Sequence, residues 1–178
     1  MNIKKIIVGE FEANCYLAES AGELVIIDPG DEAEKIMAEI NRFKALPQSI
    51  ILTHCHIDHV GAAQNIAKRL KIPIFIHKKE KKYIDFPEIS YLEEDSEVKV
   101  GDEVLRVINT PGHTPGSVCL LDEKVIFTGD TLFEDGYGRT DLAGGSPDDM
   151  DKSLERLKKL IKPGMTIFPG HGESFLAG

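Results

Sequence analysis

Three of the chain's six histidines crowd into THCHIDHVG, residues 53 to 61, as His54, His56 and His59, with Asp58 among them. Imidazole and carboxylate without thiolate suit zinc, iron or manganese and disfavour a closed four-cysteine structural site. In extended backbone, residues two apart face the same side, so His54 and His56 can grip one ion while Cys55 points away. Asp58 and His59 fall where the chain turns into a helix and can serve a second ion nearby. Two more histidines, His113 in TPGHTPG and His171 in FPGHGE, lie in glycine- and proline-rich turns, and Asp130 closes the apolar run KVIFTG. Seven candidate ligands are too many for one tetrahedral ion. Two divalent ions sharing one carboxylate use them all.

The elements that must place these residues are legible in outline. KKIIVG, CYLAES and ELVIIDPG read as short strands bounded by turns, followed by a helix over residues 31–44 with an apolar stripe of Ala33, Ile36, Met37, Ile40 and Phe43. QSIILTH is a buried strand, residues 61–70 a helix, and IPIFIH the next strand. A second batch, SEVKVG, EVLRVINT, SVCLLD and KVIFTGD, precedes a helix for which Ser146 is the N-cap, Pro147 the first residue and Asp149 the capping-box acid. TIFPG is the last strand. Two batches of strands, each followed by a helix and another strand, predict two packed sheets with helices outside, an α/β arrangement. His54, Asp130, His171 and Asp28 are each expected at a strand end, where α/β folds present ligand sites.

HCHIDH resembles the H-x-H-x-D-H signature of the metallo-β-lactamase superfamily. The histidine of TPGHTPGS, the aspartate of FTGDTLF and the histidine of PGHG follow in the family's order. FTGDTLF and GYGRTDLAGG are similar to the hydroxyacylglutathione hydrolase (glyoxalase II) branch in its short, single-domain form. The resemblance implies a four-layer αββα sandwich over residues 1–178, without the C-terminal helical domain that supplies much of the glutathione pocket in full-length glyoxalase II. It implies one ion on His54, His56 and His113 and a second on Asp58, His59 and His171. Asp130 would bridge both together with a water or hydroxide, and Asp58 would orient the nucleophile. An aspartate at the bridging place is the pattern of thioester hydrolases, phosphodiesterases and sulfur dioxygenases rather than of the classical β-lactamases. The implied activity is hydrolysis of S-lactoylglutathione or a related acyl-thioester, with zinc as the first expectation for the metal. The alternatives are a mononuclear-iron persulfide dioxygenase and a broader ester, lactone or phosphodiester hydrolase.

Other residues have smaller expected roles. Asp28 reads either as a partner for a ligand imidazole or as a turn cap before Pro-Gly. Cys55 is expected to pack inward rather than act as a nucleophile. Arg139 and Asp141 are expected to pair and shape their loop, and Thr114 and Ser117 to satisfy backbone groups beside His113. His77 is a strand-end histidine without a motif partner. The formal charge of −9 speaks against a nucleic-acid partner, and KKEKK, residues 78–82, reads as a solvated helix face. No apolar run approaches a membrane span. MNIKKIIVGE does not resemble a signal peptide, and three scattered cysteines suit a reducing cytoplasm.

Overall fold

The computed structural model describes residues 1–178. Its strands form two six-stranded sheets. In the first, β1 (Asn2–Val8), β2 (Ala13–Ser20) and β3 (Glu23–Ile27) run antiparallel to one another. Beyond β3, the strands β4 (Leu46–Ile51), β5 (Ile74–His77) and β6 (Ser90–Leu92) are added in parallel. The second sheet is an antiparallel meander of β7 (Glu97–Val100), β8 (Glu103–Asn109), β9 (Val118–Leu121) and β10 (Val125–Gly129). It is completed by β11 (Thr166–Pro169), parallel to β10, and by β12 (Phe175–Leu176), antiparallel to β11.

Side-chain alternation along the strands builds the layers. On β3, Val25 and Ile27 point into a cluster with Val100, Leu105, Val107, Leu120 and Phe127 of the opposite sheet. Their neighbours Leu24 and Ile26 point the other way, into a cluster with the helices α1 (Ala33–Ile40) and α3 (Ala63–Leu70). On the far side, Ile108, Cys119 and Ile126 pack against Leu157 of α4 (Pro147–Leu160). A period of two with both faces apolar is what a doubly covered sheet requires. The result is the expected αββα sandwich. No helix is long and apolar enough to cross a membrane.

Several expectations change at the residue level. The first helix is shorter than residues 31–44, ending at Ile40 with Phe43 packed beyond it. The helix expected over 61–70 begins two residues later, as α3 at Ala63, and a separate single-turn helix, α2 (Ile57–Val60), precedes it. His54 does not end β4. It lies three residues further on, in the bend that leads into α2. At α4 the Ser146 hydroxyl accepts from the Asp149 amide at 3.3 Å, but the reciprocal half of the capping box is missing. The Ser146 amide donates instead to the Gly112 carbonyl at 2.8 Å, tying the helix start to the loop that carries His113. β6 and β12, of three and two residues, carry no readable pattern and are found only through their pairing.

Candidate metal centre

The loops that leave one end of the two sheets converge on the centre. Asp28 follows β3 and is fully buried, with the backbone in the left-handed region at φ 49°. Aspartate tolerates that conformation better than most residues. Its carboxylate accepts the Thr53 amide on Oδ1 at 2.7 Å, and on Oδ2 the Thr53 hydroxyl at 2.6 Å and His59 Nδ1 at 3.1 Å. Because the Thr53 hydroxyl donates its proton to Asp28, its oxygen is left to accept from His54 Nδ1 at 3.1 Å. One carboxylate therefore orients two imidazoles, and the imidazole-partner reading of Asp28 holds. Behind it, Gly30 lies against the backbone carbonyl of Asp58 so closely that a β-carbon there would overlap it. The Asp-Pro-Gly turn thereby seats α2, whose first turn carries Asp58 and His59.

Backbone carbonyls orient two more rings. His113 Nδ1 donates to the Arg139 carbonyl at 2.7 Å, and His171 Nδ1 donates to the Phe11 carbonyl at 3.0 Å. A carbonyl can only accept, so each of these rings carries its proton on Nδ1 and turns an Nε2 lone pair toward the centre. His59 Nδ1 is held in the same way by Asp28.

The seven residues singled out from the sequence come together. The ligand atoms of His54, His56 and His113 all lie within 4.8 Å of one another, as do those of Asp58, His59 and His171. Asp130, directly after β10, lies between the two groups. Its Oδ1 is 3.4 Å from His59 Nε2, and its Oδ2 is 3.4 Å from His113 Nε2 and 3.6 Å from His171 Nε2. Room for that carboxylate depends on Gly170, where a β-carbon would run into Asp130 Oδ1.

The donor atoms fit metal ions on physical grounds. His59 Nε2 faces His171 Nε2 at 3.2 Å, and His113 Nε2 faces His56 Nδ1 at 2.8 Å. Lone pairs at that separation repel unless a proton or a cation lies between them. His54 Nε2 and Asp130 Oδ1 are buried without any hydrogen-bond partner, a costly state for polar atoms unless a ligand takes them up. Electrostatics agree. Burial opposes charge on His59, but Asp130, Asp28 and Asp58 outweigh it and lift its pKa to about 9. Burial likewise disfavours charge on Asp58, yet hydrogen bonding to His171 and the nearness of His59 bring it down to about 2. His54 is pushed well below the usual histidine range by burial and then by the surrounding imidazoles. The pocket pairs carboxylates with a protonated His59 and a neutral His54, a charge pattern that entering cations would complete.

The centre is open on one side. The His171 and Asp58 side chains are 28% and 22% exposed, whereas His59 is sealed. A cavity of about 370 Å³ reaches Asp58 and is rimmed by Phe11 and Ile57, two large apolar side chains that are 69% and 71% exposed. An open coordination side distinguishes catalytic from structural metal sites.

Residues 8–171 match the sequence pattern of the metallo-beta-lactamase superfamily. The chain belongs to that superfamily. It is 31% identical over 191 residues to the probable metallo-hydrolase YqgX of Bacillus subtilis (strain 168), covering 97% of this chain and 90% of that one. The crystal structure of the BLEG-1 B3 metallo-beta-lactamase superposes with a TM-score of 0.90 at 30% identity, covering 98% of this chain and 94% of that chain. The crystal structure of TTHA1623 in a di-iron-bound form superposes with a TM-score of 0.87 at 33% identity, covering 97% and 94%. Membership in this superfamily puts the convergent histidines and aspartates on a metal-binding scaffold shared with metallo-hydrolases.

The remaining sequence expectations sort themselves against this superfamily site. Arg139 and Asp141 pair through two hydrogen bonds of 2.7 and 2.8 Å on the surface, as expected, while the Arg139 carbonyl has the further task of orienting His113. Ser117 Oγ accepts the Thr114 amide at 3.1 Å and lies 2.8 Å from the Thr114 hydroxyl, bracing the same loop. Cys55 is half-buried, and its thiol is pushed far up by burial and by Glu80, which keeps it protonated. His77 lies outside both ligand groups and caps the short 3-10 turn Lys78–Glu80. That turn overturns the reading of KKEKK as a solvated helix face, because Glu80 is fully buried. Thr53 and the Phe11 and Arg139 carbonyls are the orienting groups that sequence reasoning missed. Thr53 stands beside the motif and could have been suspected, whereas a backbone carbonyl leaves no signature in a sequence.

Proposed function

We propose that this chain is a dinuclear metal-dependent hydrolase of acyl-thioesters, with S-lactoylglutathione or a related acyl-thioester as substrate. His54, His56 and His113 would hold one ion, Asp58, His59 and His171 the other, and Asp130 would join the two. The observation that carries this reading is the place of Asp130, with one oxygen beside His59 and the other between His113 and His171. The di-iron form of the relative TTHA1623 supports two ions on this scaffold, and the nitrogen–oxygen donor set admits zinc, the first expectation, as well as iron or manganese.

When bound, such ions supply Lewis acidity that lowers the pKa of water and polarises a carbonyl. The chain supplies the rest. Asp58, with its pKa at about 2, is ionised at neutral pH and partly exposed, placed to accept a hydrogen bond from the attacking water and orient it. Cys55, held protonated, offers no covalent route that would compete with water. The Phe11 and Ile57 rim provides apolar surface for the acyl group. A thiolate leaves without strong general-acid assistance, which suits a site where Asp58 is ionised and the half-buried Cys55 thiol stays protonated. Water adds to the carbonyl, the carbon–sulfur bond breaks, and a carboxylic acid and a thiol result. Small-molecule substrates, rather than nucleic acid, suit the acidic chain.

The test is thiol release from S-lactoylglutathione and from an acyl-thioester lacking glutathione, run beside oxygen uptake with glutathione persulfide and opening of a chromogenic cephalosporin. Thiol release without oxygen uptake is expected. One bound iron with oxygen consumption would replace this reading by the dioxygenase, and cephalosporin opening without thioester cleavage would replace it by a lactamase.

A further inference from the structure

Glu80 is the single acid in the run KKEKK, yet it is the residue of that run that turns inward, with no measurable exposure. A buried carboxylate is costly unless its oxygens are satisfied, and three of the four lysines of the run are engaged elsewhere. Lys78 pairs with Glu93, Lys82 lies 4.7 Å over the Tyr83 ring, and Lys81 lies 6.0 Å over the Tyr91 ring. The carboxylate goes instead to two backbone amides. Its Oε2 accepts from Cys55 at 3.1 Å and its Oε1 from Gly116 at 2.6 Å.

The identity of those amides gives the contact its meaning. The Cys55 amide belongs to the peptide bond from His54 to Cys55, with His56 the next residue. The Gly116 amide lies three residues beyond His113. One side chain therefore ties the segment carrying His54 and His56 to the loop carrying His113, and makes no hydrogen bond to α2, which follows that segment, or to the His171 loop. Gly116 permits this, since a β-carbon there would meet Glu80 Oε1 at 2.6 Å and His77 Nδ1 at 2.9 Å. His77 in turn caps the 3-10 turn that presents Glu80, accepting the Lys79 amide at 3.4 Å.

We propose that Glu80 is a positioning residue of the metal centre. It sets the spacing between the His54–His56 segment and the His113 loop, and so tunes one ion of the pair selectively. The proposal rests on the ligand assignment above, but it concerns metal affinity and stands apart from the identity of the substrate.

Cobalt(II) titration of the metal-free full chain, followed by visible absorption, tests it. The absorption phase lost in His56→Ala marks the first ion. In Glu80→Ala that phase is expected to weaken about 10- to 100-fold, the range for partners that orient ligands, while the second phase keeps its wild-type affinity. Glu80→Gln is expected to fall between, because an amide oxygen can serve one N–H while its NH₂ opposes the other. Unchanged affinity of the first phase, or equal weakening of both phases, overturns the proposal. Should Glu80→Ala fail to fold, the isosteric Glu80→Gln decides by the same two criteria. A wild-type chain that takes up a single cobalt rejects the two-ion reading, and Glu80 is then judged on that one phase.

Discussion

At the scale of residues, four of the five imidazoles of the centre are held through Nδ1, and Asp28 has the widest reach. Through Thr53 it touches His54, and directly it touches His59, one from each group. Asp28→Ala should therefore weaken both ions, by about 10- to 100-fold each, where Glu80→Ala weakens one. Metal affinities by competition with a chelator check this; weakening confined to one ion would contradict it. His59 gives the expected pH dependence. With its pKa raised to about 9 in the metal-free chain, it carries a proton at neutral pH that an entering ion must displace. Affinity at the second group should climb as pH rises toward about 9 and level off above it, and calorimetry at neutral pH should detect proton release. Flat affinity over that interval would show that His59 is already neutral. The convergence of the seven candidate ligands was legible because their chemistry lies in residue type and spacing. Glu80 was not, because an acid among lysines looks the same whether it faces solvent or two amides.

At the scale of elements, precision comes from close backbone contact between turns. α2 is one turn long and too short to stand alone, and it is held where the Asp-Pro-Gly turn meets the Asp58 carbonyl. Gly30→Ala places a methyl group into that carbonyl. Loss of the ion at Asp58, His59 and His171 is expected, with the far-ultraviolet circular dichroism of the sandwich retained. A Gly30→Ala protein that keeps both ions would mean that α2 is seated by other contacts. The Ser146 cap of α4 supplies the contrast, since it supports a helix and contacts no ligand ring. Ser146→Ala should cost about 1 kcal/mol of stability and leave metal content unchanged. The strands and the α4 cap were readable because alternation and capping residues are local signals. The shift of His54 from a strand end into a bend was not, because it depends on how Thr53 and Asp28 bond across the sheet. β6 and β12 were invisible because two or three residues carry no period.

At the scale of the whole molecule, the sandwich and the metal centre have separable foundations. Three apolar clusters hold the layers together, and none needs an ion. The centre sits at one end, where the loops leaving the sheets bring carboxylates and unpaired nitrogens into a small volume. The order of the elements was legible in the sequence because two batches of strands, each closed by a helix, leave few ways to pack. The branch-level resemblance to glyoxalase II rests on motif likeness alone, and the superfamily match carries no branch. The most direct measurement of the central claim is the number of ions bound per chain when the metal-free protein is titrated with zinc, for the wild type and for Asp130→Ala. The expected result is two ions on the wild type, with both weakened in Asp130→Ala because they lose a shared ligand. A single ion on the wild type, or two undiminished ions on Asp130→Ala, would contradict the bridged dinuclear centre.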